Sequence, residues 1–454
     1  MAHSEEKSGD LYRYMERPGL GVLFFENPSH VASKTLEQHR SRTLKRLEAM
    51  GLEIRGVHWV SSHTDTDEVV LHFQKADPDL VLCSLTSWVE EYLPIRVLNP
   101  LSIPIFLWSI PNGTAHSLLS GLTATASNLR QMGKAYFHAV GPVESDEVFN
   151  EIKACAMAAY LKRKVRKLRI GLFGQNCPGM IDVGGDDMTL AALGLEVIRY
   201  ELSDLMETYD RISEDRARSS VDVLVKAAGG GIEPEPEELL RSGRMDLALR
   251  EKVEKERLDL VGVRCWPELR SQLRVMPCLA FSTLMDEGII GICENDPTAG
   301  VTMWLLLCLS GKAVFLGDIG RVDLAEGTLS LCHCGVASSS LAEDGRAVHI
   351  RRYVLHPEGG ICIEFPLKRG PVTLAKLMRP RGGTFSMFIS RGESVEGPEH
   401  RGSVIYVQPE AGVDRFVSRM LEDGVEHHIV VGYGDLVTPL ARWCHLMQVR
   451  VISP

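Results

Sequence analysis

The first third of the chain alternates short apolar runs with segments whose apolar residues have helical spacing. Gly21–Glu26 has the pattern of a short buried strand, and Ala32–Met50 has that of a helix, which ends at Gly51. Further strands are predicted at Leu52–Trp59, Leu80–Cys83, Ile103–Leu107 and Ala135–Ala139. Strands separated by helices indicate right-handed crossovers and a mostly parallel sheet.

The same pattern restarts after a long helix. This helix is predicted from about Asp146 to Lys164, and its basic end, Lys162–Lys167, is favoured by the helix dipole. Buried strands are then predicted at Leu168–Phe173, Glu196–Arg199, Leu258–Val263 and Ile289–Cys293, with a polar helical region before the last two. The restart predicts a second α/β domain.

The pattern changes again after Asp318. Residues 320–411 are rich in Gly and turn residues and contain short alternating runs, which predict a small barrel or sandwich. A final α/β unit is predicted over 413–452. The predicted fold class is therefore α/β, with two Rossmann-like doubly wound domains and a β-rich, barrel-like C-terminal domain. The predicted domains are 1–166; 167–316, which carries Glu294; and 317–454, which carries Asp318, His333 and His428.

Composition narrows the class of protein. The chain has 454 residues, 44% apolar and 24% charged, which is typical of a folded protein of several domains. A net charge of −10 argues against a nucleic-acid partner, because phosphate binding needs a basic field. Residues 1–19 lack an apolar leader, and the run Val301–Ser310 is too short for a bilayer, so no membrane partner is expected. Eleven cysteines without small-scaffold spacing indicate reduced thiols in the cytoplasm.

Three polar residues each end an apolar run: Glu294, Asp318 and His333. The carboxyl ends of strands are where open α/β sheets bind ligands. Two carboxylates and an imidazole suit a divalent cation such as Mn²⁺ or Mg²⁺. A strand–helix–strand unit with its helix over 296–309 would bring both carboxylates together. The alternative is that Glu294 caps this helix and Asp318 makes a turn.

The histidines leave alternatives open. His333 lies between Cys332 and Cys334, and on a strand it would face away from both thiols, which argues against a zinc site. A packed core histidine is the alternative. His427 and His428 open a strand, so only one of the two imidazoles is expected to point at a given site.

Two loops and two strand ends complete the candidates. Gly229–Gly231 lacks the context of a phosphate loop, and Asp182–Asp187 is more typical of an acidic surface loop than of a cation site. Four residues after predicted strands could stack on or hydrogen-bond a sugar, with ordinary packing as the alternative: Arg264, Trp266, Trp108 and His116.

Several ordered motifs carry a family resemblance. They are RCWPEL (264–269), PC (277–278), STLMDEGIIGICEND (282–296), LSGKAVFLGDI (309–319), LCHCG (331–335), PVTLAKL (371–377) and EHHIVVGYGD (426–435). Together they resemble the L-fucose isomerase family, whose relatives include the L-arabinose isomerases. The resemblance covers the chain well from Leu258 onward. In the first half it is limited to the alternation of strands and helices. It implies a metal-dependent aldose–ketose isomerase that acts on an open-chain sugar through a cis-enediol. It also implies Mn²⁺, with Mg²⁺ or Co²⁺ as alternatives, and a trimer or hexamer.

The resemblance also implies residue roles. Glu294 and Asp318 match the carboxylates that ligate the metal and shuttle the proton, and His428 matches the histidine ligand, with His427 still possible. His333 matches an extra histidine ligand of arabinose isomerases. It would be either a fourth metal ligand or a residue that contacts the ligands without contacting the metal. The chain is shorter than typical fucose isomerases, so the resemblance does not identify the sugar substrate. Alternatives are an isomerase of an anionic, for example sulfonated, hexose and a non-catalytic sugar-binding relative.

Overall fold

The computed structural model describes residues 17–110, 118–334, 336–354 and 359–454. These residues form two compact units. The N-terminal unit comprises 17–164 with 441–447, and the main unit comprises 165–440 with 448–454. The division of the second half into two domains at 316/317 stays a prediction.

The N-terminal unit contains a five-stranded parallel sheet. Its strands are β1 (Gly19–Phe25), β2 (Glu53–Val60), β3 (Leu80–Leu85), β4 (Ile105–Ser109) and β5 (Tyr136–Val140), in the order β2-β1-β3-β4-β5. Its helices are α1 (Ser33–Ala49), α2 (Thr66–Ala76), α3 (Tyr92–Leu98), α4 (Leu118–Gln131) and α5 (Asp146–Val165). Alternate strand residues such as Phe24 and Phe25 enter separate buried clusters, so the sheet is covered on both faces. Strands β1, β3 and β4 are buried along their whole length, whereas the edge strand β2 is mostly partly exposed.

The main unit begins with a second parallel sheet. Its strands are β6 (Arg169–Phe173), β7 (Glu196–Tyr200), β9 (Leu260–Val263) and β10 (Ile290–Cys293), in the order β10-β9-β6-β7. The helices of this part are α6 (Asp187–Ala192), α7 (Leu202–Arg211), α8 (Glu214–Ala228), α9 (Pro236–Glu256), α10 (Cys278–Asp286) and α11 (Pro297–Ser310). Helix α11 is buried from Pro297 to Cys308, which explains why the sequence shows no polar face there.

The rest of the main unit is a closed barrel. Seven strands form one sheet: β11 (Phe315–Asp323), β12 (Thr328–His333), β15 (Gly370–Arg381), β16 (Thr384–Val395), β17 (Ser403–Pro409), β18 (His428–Tyr433) and β19 (Arg450–Ile452). Their order is β15-β18-β11-β12-β17-β16-β19, and an additional pairing of β15 with β16 closes the sheet on itself. A small sheet has the order β14 (Ile361–Glu364), β13 (Val348–Arg352), β8 (Gly229–Ile232). The last helices are α12 (Val413–Asp423) and α13 (Val437–Met447), and residues 441–447 of α13 belong to the N-terminal unit.

The mixed α/β class, the parallel sheets and the barrel-like C-terminal region are confirmed, whereas the Rossmann-like, doubly wound arrangement stays a prediction. Three details were wrong. Strands β10 and β11 belong to different sheets, so they do not form one βαβ unit. Strand β11 continues past Asp318, which therefore makes no turn. Strand β18 pairs within the barrel, so no separate final α/β unit exists. Apolar alternation identifies a strand but does not identify its partner.

Within the described ranges, every helix is too short or too polar to cross a membrane.

Candidate metal and active site

Two kinds of sheet bring the predicted acids and imidazoles together. Glu294 directly follows β10, at the carboxyl edge of the parallel sheet. In the barrel, β11 and β18 run antiparallel with Asp318 directly opposite His428. Side chains opposite each other on neighbouring strands lie on the same face, about 5 Å apart at Cβ. Barrel register therefore places Asp318 beside His428.

The distances between side chains define the carboxylate–histidine cluster, which consists of Glu294, Asp318, His427 and His428. His428 Nε2 lies 3.1 Å from Glu294 Oε2 and 3.7 Å from Asp318 Oδ1. His427 Nε2 also lies 3.7 Å from Asp318 Oδ1. His333 joins the edge of the cluster, because Asp318, His333 and His428 offer ligand atoms within 4.8 Å of one another.

The expectation that only one of the two neighbouring histidines faces the site was wrong. His427 precedes β18, so the alternation of a strand does not apply to it. Both imidazoles approach the same oxygen, Oδ1 of Asp318.

An aspartate orients each of these imidazoles. His428 Nδ1 lies 2.8 Å from Asp296 Oδ2, and His427 Nδ1 lies 2.7 Å from Asp182 Oδ2. A carboxylate accepts a hydrogen bond from the nitrogen that it contacts, so in the neutral imidazole the proton is on Nδ1 and the Nε2 lone pair faces Asp318. Histidine ligands of metals are held in this way by a carboxylate behind them.

Asp296 is itself held by a buried network. Both Asp296 and Lys376 are fully buried, and Lys376 Nζ lies 2.6 Å from Asp296 Oδ2 and 3.2 Å from Glu426 Oε2. The other oxygen of Asp296, Oδ1, accepts the Ala299 N–H at 3.0 Å and caps α11. Burial raises the pKa of the Asp296 carboxyl, but Lys376 and His428 outweigh burial and hold it well below its usual range. Asp296, not Glu294, caps the helix, so Glu294 is free for the cluster.

A strained turn fixes Glu294. Glu294 and Asn295 have left-handed backbones, with φ of 58° and 59°. For a residue such as Glu this conformation costs about 1–2 kcal/mol. Asn295 stabilises the turn, because its Nδ2 donates to the carbonyl oxygens of Phe173, Gly174 and Gln175 at 3.0–3.1 Å. The turn thus ties Glu294 to the end of β6, which lies on the far side of β9 in the same sheet.

Burial lowers the pKa of each imidazole, whereas nearby negative groups raise it. For His428, burial lowers the pKa, but hydrogen bonds to Asp296 and Glu294 outweigh burial and raise it to about 9. For His333, burial again lowers the pKa, and the adjacent Cys334 thiolate and the Asp318 carboxylate raise it well above its usual value. His428 therefore favours the protonated form before a cation binds.

Unpaired atoms show that the residues fit a divalent cation. Asp318 Oδ1 and His333 Nε2 are buried and make no hydrogen bond to any described residue. Leaving such an atom unpaired costs about 1–3 kcal/mol. Carboxylate oxygens and imidazole nitrogens are also the donors that Mn²⁺ and related cations accept. A cation beside Asp318 Oδ1 would satisfy this oxygen, whereas His333 Nε2 would have to lose its proton to bind the cation, because Nδ1 accepts the Cys334 N–H at 2.9 Å.

The predicted sugar-binding residues are scattered. Arg264 follows Val263, which pairs with Cys293 at the strand end next to Glu294, and its Nη2 donates to Glu268 Oε1 at 2.7 Å. Trp266 is partly buried near this edge of the sheet. The sugar-contact roles of Arg264 and Trp266 stay predictions.

The other two candidates lie elsewhere. Trp108 is fully buried inside β4 of the N-terminal unit, where its Nε1 donates to the Gly141 carbonyl at 2.9 Å. The structure thus assigns Trp108 to a hydrophobic core. His116 lies outside the described residues.

A polar cavity of about 440 Å³ lies beside the Asp182 loop and includes Arg199 and Arg379 in its lining. Arg199 pairs with Asp187 at 2.9 Å, and Arg379 pairs with Glu426 at 3.0 Å. Because carboxylates offset these guanidinium groups, the cavity lining has no marked excess of positive charge.

Sequence reasoning missed three residues that position the site. Asp182 was predicted to belong to an acidic surface loop, but it orients His427. Asp296 stands directly before Pro297, which is the signature of a helix start. Lys376 lies within the apolar run PVTLAKL, and a lysine in a buried strand signals a buried anion beside it.

Comparison with known proteins supports an isomerase. No protein-family model matches the chain. The sulfoquinovose isomerase of Alkalicoccus urumqiensis is 25% identical over 406 residues, which cover 87% of this chain and 90% of that protein. The sulfoquinovose isomerase of Priestia aryabhattai is 23% identical over 375 residues, which cover 80% of this chain and 82% of that protein. That of Clostridium sp. (strain MSTE9) is 25% identical over 386 residues, which cover 82% of this chain and 86% of that protein.

Among solved structures, a periplasmic solute binding protein from Actinobacillus succinogenes 130z with bound D-allose aligns with 65% of this chain and 93% of its own. The sequence identity is 10% and the TM-score is 0.18, too low to support an argument about fold or ligand.

The buried Lys376 gives a first prediction. Lys376→Met should lower the free energy of unfolding by about 3–5 kcal/mol, because it leaves the Asp296 carboxylate buried without its cation. Lys368→Met is the control, since the Lys368 side chain is 43% exposed and its pair with Asp344 is long, at 3.7 Å; it should cost under about 1 kcal/mol. Denaturant unfolding measures both. Equal losses in the two variants would contradict the assignment.

The raised pKa of His428 gives a second prediction, for chelator-treated protein. Because the pKa in the folded state, about 9, exceeds the ordinary value of 6.5, folding favours the protonated imidazole. This contribution, at most about 3 kcal/mol, is complete below pH 6.5 and is lost as the pH rises through about 9.

Unfolding by urea at pH 6 and pH 9 measures this contribution. His428→Asn should remove it, whereas the exposed His400→Asn should keep it. A pH dependence that is the same in His428→Asn and wild-type protein would show that His428 does not supply it.

Proposed function

We propose that this chain is a divalent-cation-dependent aldose–ketose isomerase that acts on a sulfonated hexose. The observation that carries the proposal is the convergence of Glu294, Asp318, His427 and His428, with an aspartate behind each imidazole. A protein that only binds sugars has no need of this set. The curated relatives are named sulfoquinovose isomerases, which favours a sulfonated sugar over the fucose-like substrate.

The cation would be held by Glu294, Asp318 and His428, with His427 and His333 within reach. We propose Mn²⁺, with Mg²⁺ or Co²⁺ as alternatives. When bound, the cation supplies positive charge beside the sugar oxygens, where negative charge develops during the reaction.

The carboxylates would move the protons. Isomerisation takes a proton from C2 of the open-chain aldose and returns one to C1, with a cis-enediol between the two steps. Glu294 would act as the base at carbon, because its turn and His428 hold it in place. Asp318, whose side chain is 43% exposed, would relay the hydroxyl proton on the solvent side.

The proposal includes assembly and location. The family resemblance suggests a trimer or hexamer. All described cysteines are free thiols, which is consistent with a cytoplasmic enzyme.

Loss of the base gives the third prediction. Glu294→Gln should fold normally and lower aldose–ketose turnover at least ~10²-fold, the smaller end of the effect of a positioned base. The assay uses sulfoquinovose with Mn²⁺ and follows ketose formation. Glu410→Gln, at an exposed position, should keep wild-type turnover.

Solvent deuterium separates an enzyme from a sugar-binding protein. An isomerase should incorporate deuterium from D₂O at the exchanged carbon, whereas a binding protein should bind the sugar without exchange. Wild-type turnover in Glu294→Gln would refute the role of this carboxylate.

Cation removal gives the fourth prediction. Chelation should abolish turnover and Mn²⁺ should restore it, with release of about one proton per cation near pH 7.5, because His428 must lose its proton to become a ligand. Mn²⁺ titration in weak buffer measures the release. Full turnover in chelated protein, checked by metal analysis, would refute the cation requirement.

A further inference from the structure

A group of thiols lies beside the carboxylate–histidine cluster. Cys293 is the last residue of β10, and Cys334 directly follows the end of β12 at His333. Cys293, His333 and Cys334 offer ligand atoms that all lie within 4.8 Å of one another, and this set is called the thiol–imidazole cluster. Cys265, Cys293 and Glu294 form a second such set, so another thiol is close.

The sequence argued against this grouping. On a regular strand, His333 would face away from Cys332 and Cys334. Strand β12 ends at His333, however, so Cys334 leaves the alternation and its backbone N–H donates to His333 Nδ1 at 2.9 Å. Cys293 belongs to a distant segment, at the end of a strand of the parallel sheet. No rule of sequence spacing predicts that it lies close to Cys334.

We propose that the thiol–imidazole cluster is a second cation site, selective for a thiophilic divalent cation such as Zn²⁺ or Cd²⁺. Two sulfurs and one imidazole are donors that such cations prefer, whereas Mn²⁺ and Mg²⁺ prefer oxygen. Sulfurs bound to zinc at 2.3 Å in a tetrahedron lie about 3.8 Å apart. Ligand atoms within 4.8 Å therefore need to move by only about 1 Å.

Two features bear on a fourth ligand and on access to the site. Cys265 shares a set with Cys293 and Glu294 but not with His333 and Cys334, so it would have to move further to become the fourth ligand. Cys334 is partly exposed, which gives the cation a route from solvent to the otherwise buried cluster.

His333 links the two sites. Its side chain is 4% exposed, and its Nε2 makes no hydrogen bond to any described residue. A neutral imidazole has one acceptor nitrogen, so it ligates one cation at a time. In His333 this nitrogen is Nδ1, which accepts the Cys334 N–H at 2.9 Å, so a cation at either nitrogen has to displace that hydrogen bond. A cation on the thiols would therefore withdraw His333 from Asp318 and His428; this consequence, unlike the site itself, rests on the proposed function.

Cadmium tests the site directly, because thiolate-bound Cd²⁺ has a charge-transfer absorption in the ultraviolet. The reduced, chelated full-length chain is titrated with Cd²⁺, and bound cation is counted by equilibrium dialysis. Wild-type protein should show the band. Cys293→Ala/Cys334→Ala should lose one equivalent of Cd²⁺ and most of the band, or bind that equivalent at least ~10-fold more weakly.

Cys83→Ala and Cys444→Ala are matched controls, since both are buried free thiols of the N-terminal unit. Both should keep the band and the stoichiometry. Circular dichroism checks folding, and if the double variant does not fold, the single Cys334→Ala variant, at a partly exposed position, is required to show the same loss.

No band in wild-type protein, or an unchanged band and stoichiometry in the cysteine variants, would overturn the proposal. The readout does not depend on turnover. An inactive chain with the band would contradict only the isomerase, and an active chain without it would contradict only the thiol site.

Discussion

The hydrogen bond between the buried Asp296 carboxylate and His428 Nδ1 is the interaction on which the candidate site depends. Asp296 caps α11 after the parallel sheet, and His428 opens a barrel strand, so this bond joins two sheets of different type. A fully buried carboxylate is tolerated only with a compensating charge, which Lys376 supplies from a third position, on β15. Without this network, the imidazole would have no fixed direction, and its Nε2 would not be held towards Glu294 and Asp318.

Each sheet supplies what the other cannot. The parallel sheet ends in a left-handed turn that presents Glu294, and Asn295 holds that turn on the carbonyls after β6. The barrel supplies Asp318 and His428 as a pair opposite each other, at a spacing that backbone hydrogen bonds fix. A strained turn and a rigid register together give short, defined distances between ionisable groups, as a preorganised site requires.

The sequence predicted the parts of the site that local rules govern. The position of Glu294 after an apolar run, a helix over 296–309 and a barrel-like region after Asp318 follow from such rules, and all three features occur in the structure. Contacts between distant segments were beyond these rules. Asp182 and His427 are 245 residues apart, and Asp296 and His428 are 132 apart. A single polar residue in a loop does not indicate which histidine it will reach.

The closeness of the oxygen-rich and sulfur-rich donor sets has a thermodynamic consequence. Zn²⁺ binds mixed oxygen and nitrogen sites more tightly than Mn²⁺ does, so affinity alone does not protect such a centre from zinc. The thiols beside the oxygen-rich centre are ligands that Zn²⁺ prefers still more. Zn²⁺ bound to Cys293 and Cys334 would also take His333 as a ligand, and His333 lies beside Asp318 as well. Because coupling between two binding sites is reciprocal, a cation at the oxygen-rich set that uses His333 would weaken zinc binding by the same factor. One shared imidazole is therefore enough to make the occupancies of the two sites depend on each other.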